Sequence, residues 1–183
     1  MIRIADRYAV RNVALVGFMG TGKTTIATEI ARALGMRYVS VDDLIEQREK
    51  RTINEIFRTD GEDYFRDVES EIVRELSGAE GLVIDTGGGV VIREENMANL
   101  KSGCTVIGLA ADESAVMERT KKYKHRPLLN VDDPKGRIRA LLAKRAPLYA
   151  KADHCIDTGT LTVRQAVAAA VEIARGGSDV PQG

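Results

Sequence analysis

One stretch near the amino end decides the fold: NVALVGFMGTGKTT, which runs from Asn12 to Thr25. Residues 17–24 fit the pattern G-x-x-x-x-G-K-[ST], between an apolar segment of strand length and an amphipathic segment with helical period. In a strand–loop–helix of this kind, glycines let backbone N–H groups turn inward around phosphate oxygens, and the helix N-terminus adds partial positive charge. A glycine-rich turn without a ligand is the alternative, but a bare turn has no use for Lys23 followed by Thr24.

The loop predicts which residues hold a nucleoside triphosphate. Lys23 can reach the β- and γ-phosphates, and the Thr24 hydroxyl can bind Mg²⁺. The expected binding residues are Gly20, Thr21, Gly22, Lys23, Thr24 and Thr25. The motif alone does not separate a GTPase, a motor ATPase and a small-molecule kinase. An N-K-x-D motif for guanine is absent, and 183 residues leave little room for a second module.

Short apolar runs alternate with helical patterns along the rest of the chain. Besides Asn12–Val16, strands are predicted at Arg37–Val41, Leu82–Asp85, Thr105–Leu109 and His154–Asp157. Helices are predicted at Thr24–Leu34, Glu62–Leu76, Lys135–Tyr149 and Leu161–Ala174. This alternation predicts a parallel sheet covered by helices on both faces, a three-layer α/β/α fold of the P-loop NTPase type. Ligands in such folds bind along the edge where the strands' carboxyl ends meet.

Composition limits the classes of partner. Lys+Arg and Asp+Glu are both 27, so the net charge is +0 and no global field favours nucleic acid or a membrane surface. The first residues contain no apolar signal region, and the two cysteines are too far apart for a zinc knuckle. We expect a cytoplasmic monomer, with one domain over residues 1–175 and a disordered tail over residues 176–183.

Further motifs follow the predicted strands and helices in a fixed order. They are Asp42–Glu46, Gly61–Arg66 with Glu69, Gly87–Gly89, Arg126–Leu129 and Lys144–Tyr149. Together with the phosphate loop, this set resembles the shikimate kinase family from about Asn12 to about Arg175. The resemblance implies a five-stranded sheet of order 2-3-1-4-5. It also implies ATP and Mg²⁺ as cofactors and transfer of the γ-phosphoryl group to the 3-hydroxyl of shikimate, in the pathway to chorismate.

The residues themselves leave alternatives open on the acceptor side. The triple glycine Gly87–Gly89 either lets a substrate approach the backbone or forms a tight turn. Asp42 either orients a substrate hydroxyl and accepts its proton or caps a helix. The resemblance implies that Arg66 and Arg145 bind the carboxylate of the acceptor, and that Gly87, Gly88 and Gly89 also belong to the acceptor-binding site. Glu69, one helical turn after Arg66, is expected to hold its guanidinium.

Other roles rest on the resemblance alone. Arg126 matches an arginine of a lid, expected over residues 119–133, that stabilises charge on the γ-phosphate. Arg119 matches a position near adenine, and Thr158–Thr162 matches the adenine loop. Lys23, Asp42 and Arg126 are thus the expected catalytic residues. The alternatives are a kinase for another hydroxy acid such as gluconate or for a nucleoside monophosphate, and a non-catalytic nucleotide sensor. With no Trp and 3 Phe, the chain has few side chains to stack on a nucleotide acceptor.

The chain departs from the family's D-x-D pattern after the second strand, where it has Ser40-Val41-Asp42. Ser40 is neutral, but Asp85 ends the third strand where a metal-binding acid is found in other P-loop enzymes. We hypothesise that the carboxylate has moved from strand two to strand three. Thr24 would then bind Mg²⁺, and Asp85 would bind it through water. Ser40 is then expected within reach of the same water shell. The alternative is that Asp85 caps the turn before Gly87.

Overall fold

The computed structural model describes residues 10–120 and 133–177. The strands are β1 (Asn12–Gly17), β2 (Arg37–Ser40), β3 (Leu82–Asp85), β4 (Cys104–Ala110) and β5 (His154–Asp157). The helices are α1 (Lys23–Leu34), α2 (Val41–Glu49), α3 (Ile53–Thr59), α4 (Gly61–Ser77), α5 (Glu94–Gly103), α6 (Glu113–Thr120), α7 (Pro134–Tyr149) and α8 (Val163–Ala174). A 3₁₀ turn, Val90–Ile92, follows the triple glycine.

The strands form one parallel sheet of order β2-β3-β1-β4-β5. This confirms the predicted fold class and strand order. The central strand β1 is buried along its whole length, as expected of a parallel strand covered on both faces. Its register with β3 pairs Leu15 with Asp85, and the register of β2 with β3 pairs Ser40 with Asp85. The carboxyl ends of these strands therefore meet beside the loop that follows Gly17.

Two apolar clusters, one on each face, hold the three layers together. Val13 and Leu15 of β1 point to one face, where they pack with α1 and α8. Ala14 and Val16 point to the other face, where the core is built mainly from α2, α4, α5 and α7. The alternation along β1 follows from the period of two in a strand. The functional loops are thus anchored on a sheet that is buried from both sides.

Helix caps explain where the predicted boundaries were wrong. The strand predicted to run to Val41 ends at Ser40, because the Ser40 hydroxyl accepts a hydrogen bond from the Asp43 amide and starts α2. The helix predicted from Leu161 begins at Val163, because Thr162 and Gln165 form a capping box. The sequence patterns gave no helix for α3, α5 or α6, which are short and have few buried residues.

Two predicted segments lie wholly or partly outside the described residues. Residues 121–132 of the predicted lid are not among them. The described ends of the lid lie in α6 and at Asp133, which caps α7. Of the predicted tail, Gly176 and Gly177 are described, and their amides donate to the carbonyls of Ile173 and Glu172 at the end of α8. No helix among the described residues is long and apolar enough to cross a membrane.

Candidate active site

The phosphate loop has the geometry that its motif predicts. Gly22 adopts φ 90° and forms the N-cap of α1, so no side chain caps the first-turn amides of that helix. Gly17 has no room for a side chain, because a Cβ there would lie 2.5 Å from the Leu109 carbonyl oxygen. Backbone amides at a helix N-terminus attract anions, and they are the donors that a phosphate group needs.

Lys23 lies across this loop. Its side chain is buried, and the ammonium donates to the carbonyl oxygens of Gly17 and Phe18 at 2.9 and 3.1 Å. The Thr21 hydroxyl also donates to Phe18, at 2.8 Å. The loop therefore holds the positive charge of Lys23 directly beside the amides that face a phosphate group.

A cavity of about 450 Å³ adjoins the phosphate loop, and we name it the nucleotide cavity. Its lining includes all the loop residues predicted to bind a nucleotide and Arg119: Gly20, Thr21, Gly22, Lys23, Thr24, Thr25 and Arg119. Arg119 donates to the carbonyls of Gly20 and Thr158 at 3.3 and 3.0 Å. These bonds join α6, the phosphate loop and the segment after β5. All three parts of the chain were predicted to bind the same nucleotide.

A second cavity, of about 230 Å³, contains the predicted acceptor residues, and we name it the acceptor cavity. Its lining includes Asp42, Arg66, Gly87, Gly88, Gly89 and Arg145. Arg66 and Arg145 are 79 positions apart by their numbers, yet both are buried at this one cavity. Arg145 donates to the Gly88 carbonyl at 3.3 Å, and its Nε is buried without a hydrogen-bond partner.

Glu69 holds Arg66 in place, as the sequence predicted. Its carboxylate accepts a hydrogen bond from Arg66 Nη1 at 2.7 Å and is completely buried. Burial raises the pKa of the Glu69 carboxyl against the opposing effect of Arg66. Burial also opposes the charged form of Arg66, but Glu69 and Glu62 outweigh it and raise the pKa of the guanidinium. Arg66 is thus a fixed, permanent cation in the acceptor cavity.

Several walls of the acceptor cavity were not predicted. Helix α3 contributes Ile53, Asn54 and Phe57, and the Phe57 and Phe65 rings lie 4.8 Å apart. A capping box between Thr52 and Glu55 starts α3. The spacing T-x-x-E at residues 52–55 was the sequence signal that could have revealed this helix.

A third cavity, of about 240 Å³, joins the other two, and we name it the junction cavity. It shares Lys23 and Thr24 with the nucleotide cavity, and Asp42, Gly87 and Gly88 with the acceptor cavity. The three cavities therefore adjoin along the carboxyl edge of the sheet.

Asp85 lies at the centre of a hydrogen-bonded group in the junction cavity. Its Oδ2 atom accepts from the Thr24 hydroxyl at 2.6 Å and from the Tyr38 hydroxyl at 3.2 Å. Burial and the neighbouring Asp85 carboxylate raise the pKa of Tyr38 to about 12, so its hydroxyl stays a donor at neutral pH. Ser40 lines the same cavity, although its hydroxyl caps α2. None of the sequence motifs contains Tyr38.

The oxygen atoms at the junction suit a hard divalent cation. They come from hydroxyls and carboxylates, oxygen donors of the kind that Mg²⁺ binds. No group of three or more His, Cys, Asp or Glu able to hold a metal occurs within residues 10–120 and 133–177. Mg²⁺ in nucleotide enzymes needs no such cage, since it binds one or two protein oxygens, phosphates and water. The residues present fit that arrangement.

A family model described as shikimate kinase matches residues 19–175. The chain belongs to the shikimate kinase family. The resemblance inferred from the motifs is confirmed.

Relatives of this family member agree in length as well as in sequence. The shikimate kinase of Thermodesulfovibrio yellowstonii is 48% identical over 152 residues, which cover 83% of this chain and 88% of the relative. The structure of shikimate kinase from Acinetobacter baumannii in complex with shikimate has a TM-score of 0.86 and 35% identity, covering 90% of this chain and 92% of that one.

A more distant match bears on the predicted alternatives. A gluconokinase from Sinorhizobium meliloti has a TM-score of 0.60 and 19% identity, covering 93% of this chain and 97% of that one. At this identity the likeness extends to the fold alone. The shikimate kinase family is supported instead, and the gluconate and sensor alternatives are not. Arg126, predicted to act on the γ-phosphate, lies outside the described residues.

Proposed function

We propose that this member of the family transfers the γ-phosphoryl group of ATP to the 3-hydroxyl of shikimate. The observation that carries the proposal is the position of Asp42. This residue borders both the acceptor cavity, with Arg66 and Arg145, and the junction cavity, with Lys23 and Thr24. A hydroxyl held in the first cavity therefore faces a phosphate held by the loop.

The acceptor cavity supplies recognition of an anionic alcohol. Arg66 and Arg145 are buried cations, and guanidinium groups bind carboxylates through two parallel hydrogen bonds. Arg145 Nε has no partner in the described structure and is one donor available to such an anion. The backbone of Gly87–Gly89 lines the same cavity, while Phe57 and Phe65 offer an apolar wall.

Asp42 orients the attacking hydroxyl and accepts its proton. The hydroxyl oxygen forms a bond to the γ-phosphorus while the bond from that phosphorus to the β–γ bridging oxygen breaks, and ADP leaves with the electron pair. Positioning and proton acceptance of this kind contribute about 10²–10⁴-fold to a rate. A side chain at Gly87 would displace this carboxylate, because a Cβ there would lie 2.9 Å from Asp42 Oδ1 and 3.0 Å from Glu69 Oε1.

Lys23 and the loop amides hold the phosphates and oppose the negative charge that builds up on them. Mg²⁺, when bound, supplies further neutralisation of that charge. Thr24 is the proposed direct ligand, and Asp85 the proposed ligand through water. Arg126 is proposed to add a cation from the lid over residues 119–133, and Arg119 to lie beside the adenine.

Phosphoryl transfer to a panel of acceptors tests the proposal. The purified chain, [γ-³²P]ATP and Mg²⁺ would be incubated with shikimate, gluconate or a nucleoside monophosphate. Label is expected in shikimate 3-phosphate alone, and Lys23→Ala is expected to abolish it. Transfer to gluconate with none to shikimate would overturn the assignment. A folded chain that binds ATP and phosphorylates no acceptor would favour the sensor.

The remaining expectations stay predictions. We infer one domain over residues 1–175 that works as a cytoplasmic monomer, with no nucleic-acid or membrane partner. The balanced charge supports this inference, because it gives no long-range attraction to a polyanion. Light scattering at micromolar concentration would measure the oligomeric state, and a mass near 20.0 kDa is expected.

A further inference from the structure

Two hydroxyl groups from different elements converge on a single carboxylate oxygen. Thr24 of α1 and Tyr38 of β2 both donate to Oδ2 of Asp85, at 2.6 and 3.2 Å. Asp85 is only 7% exposed and lies at the end of β3. Neither hydrogen bond uses Oδ1, so the carboxylate keeps a second oxygen for another partner.

The register of the sheet relates this carboxylate to Ser40. Ser40 and Asp85 are partners on the neighbouring parallel strands β2 and β3. Neighbouring strands lie about 4.8 Å apart, so a carboxylate at either position can reach the same water-bridged cation in the junction cavity. Ser40 carries no charge, and its hydroxyl is engaged with the Asp43 amide. In the pair of Ser40 and Asp85, the negative charge is therefore carried by Asp85 on β3.

A carboxylate at the end of a strand needs support to keep one orientation. The Thr24 hydroxyl can keep donating to Asp85 while a lone pair of its oxygen binds a cation, but a single hydrogen bond lets the carboxylate rotate about it. The Tyr38 hydroxyl is a second donor on the same oxygen, and it comes from the strand next to β3. Orienting partners of this kind are a general feature of metal sites, where removing one typically costs about 10–100-fold in affinity.

We propose that Tyr38 is a positioning residue that fixes Asp85, and that Asp85 with Tyr38 takes over the task of a carboxylate at position 40. This inference rests on the proposed use of a Mg²⁺–nucleotide complex and adds a residue that the motifs do not contain. Tyr38 also packs its ring against the cluster around α1 and α8. The test must therefore separate the hydroxyl from the ring.

Binding of Mn²⁺ to the enzyme–ADP complex, measured by electron paramagnetic resonance, provides a readout other than activity. Asp85→Asn is expected to weaken Mn²⁺ binding tenfold or more. Tyr38→Phe, which keeps the ring, is expected to weaken it about threefold to tenfold. Binding of ADP without metal is expected to change less than twofold in both variants. Tyr64→Phe is the matched control, since its hydroxyl donates to the Glu49 carboxylate outside the three cavities.

Two double variants distinguish positioning from a general structural role. Ser40→Asp combined with Asp85→Asn is expected to recover most of the Mn²⁺ affinity, because the charge returns on the partner strand. Tyr38→Phe is expected to cause no further loss in the Asp85→Asn background. A purely structural tyrosine would lower affinity equally in both backgrounds, and that result would overturn the role of Tyr38.

The outcomes also separate this inference from the proposed function. Wild-type Mn²⁺ affinity in Asp85→Asn would overturn the assignment of Asp85 and of Tyr38 together, with phosphoryl transfer to shikimate untouched. Wild-type affinity in Tyr38→Phe alone would overturn the role of the tyrosine. If the unaltered chain with ADP bound no Mn²⁺ at all, the proposed Mg²⁺–nucleotide chemistry itself would be wrong.

Discussion

Gly89 lies directly against the guanidinium of Arg66. A Cβ built on Gly89 would lie closer to Arg66 Nη1, Nη2 and Cζ than any real van der Waals contact. The backbone of Gly89 has φ −103° and ψ −1°, which other residues also adopt. The absence of a side chain at this position is therefore explained by the space that Arg66 occupies.

Gly89→Ala is expected to displace Arg66 from the acceptor cavity. The guanidinium is the end of a flexible side chain, so it would move while the backbone stays in place. The KM for shikimate is expected to rise about tenfold or more, which corresponds to about 1.4 kcal/mol of lost binding. The KM for ATP is expected to stay within twofold. Steady-state kinetics with each substrate varied in turn would measure both.

Gly78→Ala is the matched control for this substitution. Gly78 caps the end of α4 and likewise has an ordinary backbone conformation, and a Cβ there would come no nearer than 3.6 Å to the Glu75 carbonyl oxygen. Unchanged kinetics are expected. An equal rise of the shikimate KM in both variants would show that the effect does not pass through Arg66.

Asp42→Asn is expected to lower kcat by about 10²–10⁴-fold, because the amide cannot accept the proton of the attacking hydroxyl. Shikimate binding, measured by calorimetry, is expected to change far less than kcat. Asp63→Asn removes a carboxylate from an exposed position in the first turn of α4 and serves as the control. Turnover near that of the unaltered chain in Asp42→Asn would exclude the proton-accepting role.

Arg145→Lys is expected to raise the KM for shikimate about tenfold to 100-fold. Lysine keeps the charge but has no planar pair of donors for a carboxylate, and a charge-assisted hydrogen bond contributes about 1.5–3 kcal/mol. Arg139→Lys provides a control on the same helix, where an exposed arginine pairs with Glu113. Equal shikimate KM values for the two variants would contradict the assignment of Arg145.

Thr52→Ala is expected to destabilise the chain by about 1 kcal/mol, the usual contribution of a helix N-cap. The unfolding midpoint is then expected to fall by about 2–4 °C, measurable by circular dichroism. Since α3 lines the acceptor cavity, shikimate affinity is expected to fall as well. Thr52→Ser keeps the capping hydroxyl and is expected to behave as the unaltered chain. A loss in both variants would mean that the cap is not the cause.

The two cysteines are expected to differ in their reaction with iodoacetamide. Burial raises the pKa of both thiols, that of Cys104 to about 11, and Cys155 is the exposed one of the two. Only the thiolate reacts. For a thiol whose pKa lies above 9, the thiolate fraction rises about tenfold with each pH unit between pH 7 and pH 9. Mass spectrometry at pH 8 should find Cys155 modified first. Equal rates at the two positions would contradict the burial of Cys104.

Local patterns determined the fold class of this protein. The run Asn12–Val16, the glycine loop and the helix after it can each be recognised from consecutive residues. The alternation of apolar runs with segments of helical period predicted the parallel sheet. The positions of the five strands were correct to within one residue. Short helices such as α3 were not predicted, because few of their residues are buried and their capping residues were overlooked.

The tertiary structure decided which distant residues share a site. Arg66 and Arg145 are far apart in sequence, and only the packing of α4 and α7 against the sheet brings both to one cavity. Strand register determines that Ser40 pairs with Asp85. The proposed role of Tyr38 in holding the Asp85 carboxylate depends on the same register. A sequence records the identity of each side chain, but the distance between side chains on different elements is set by how those elements pack.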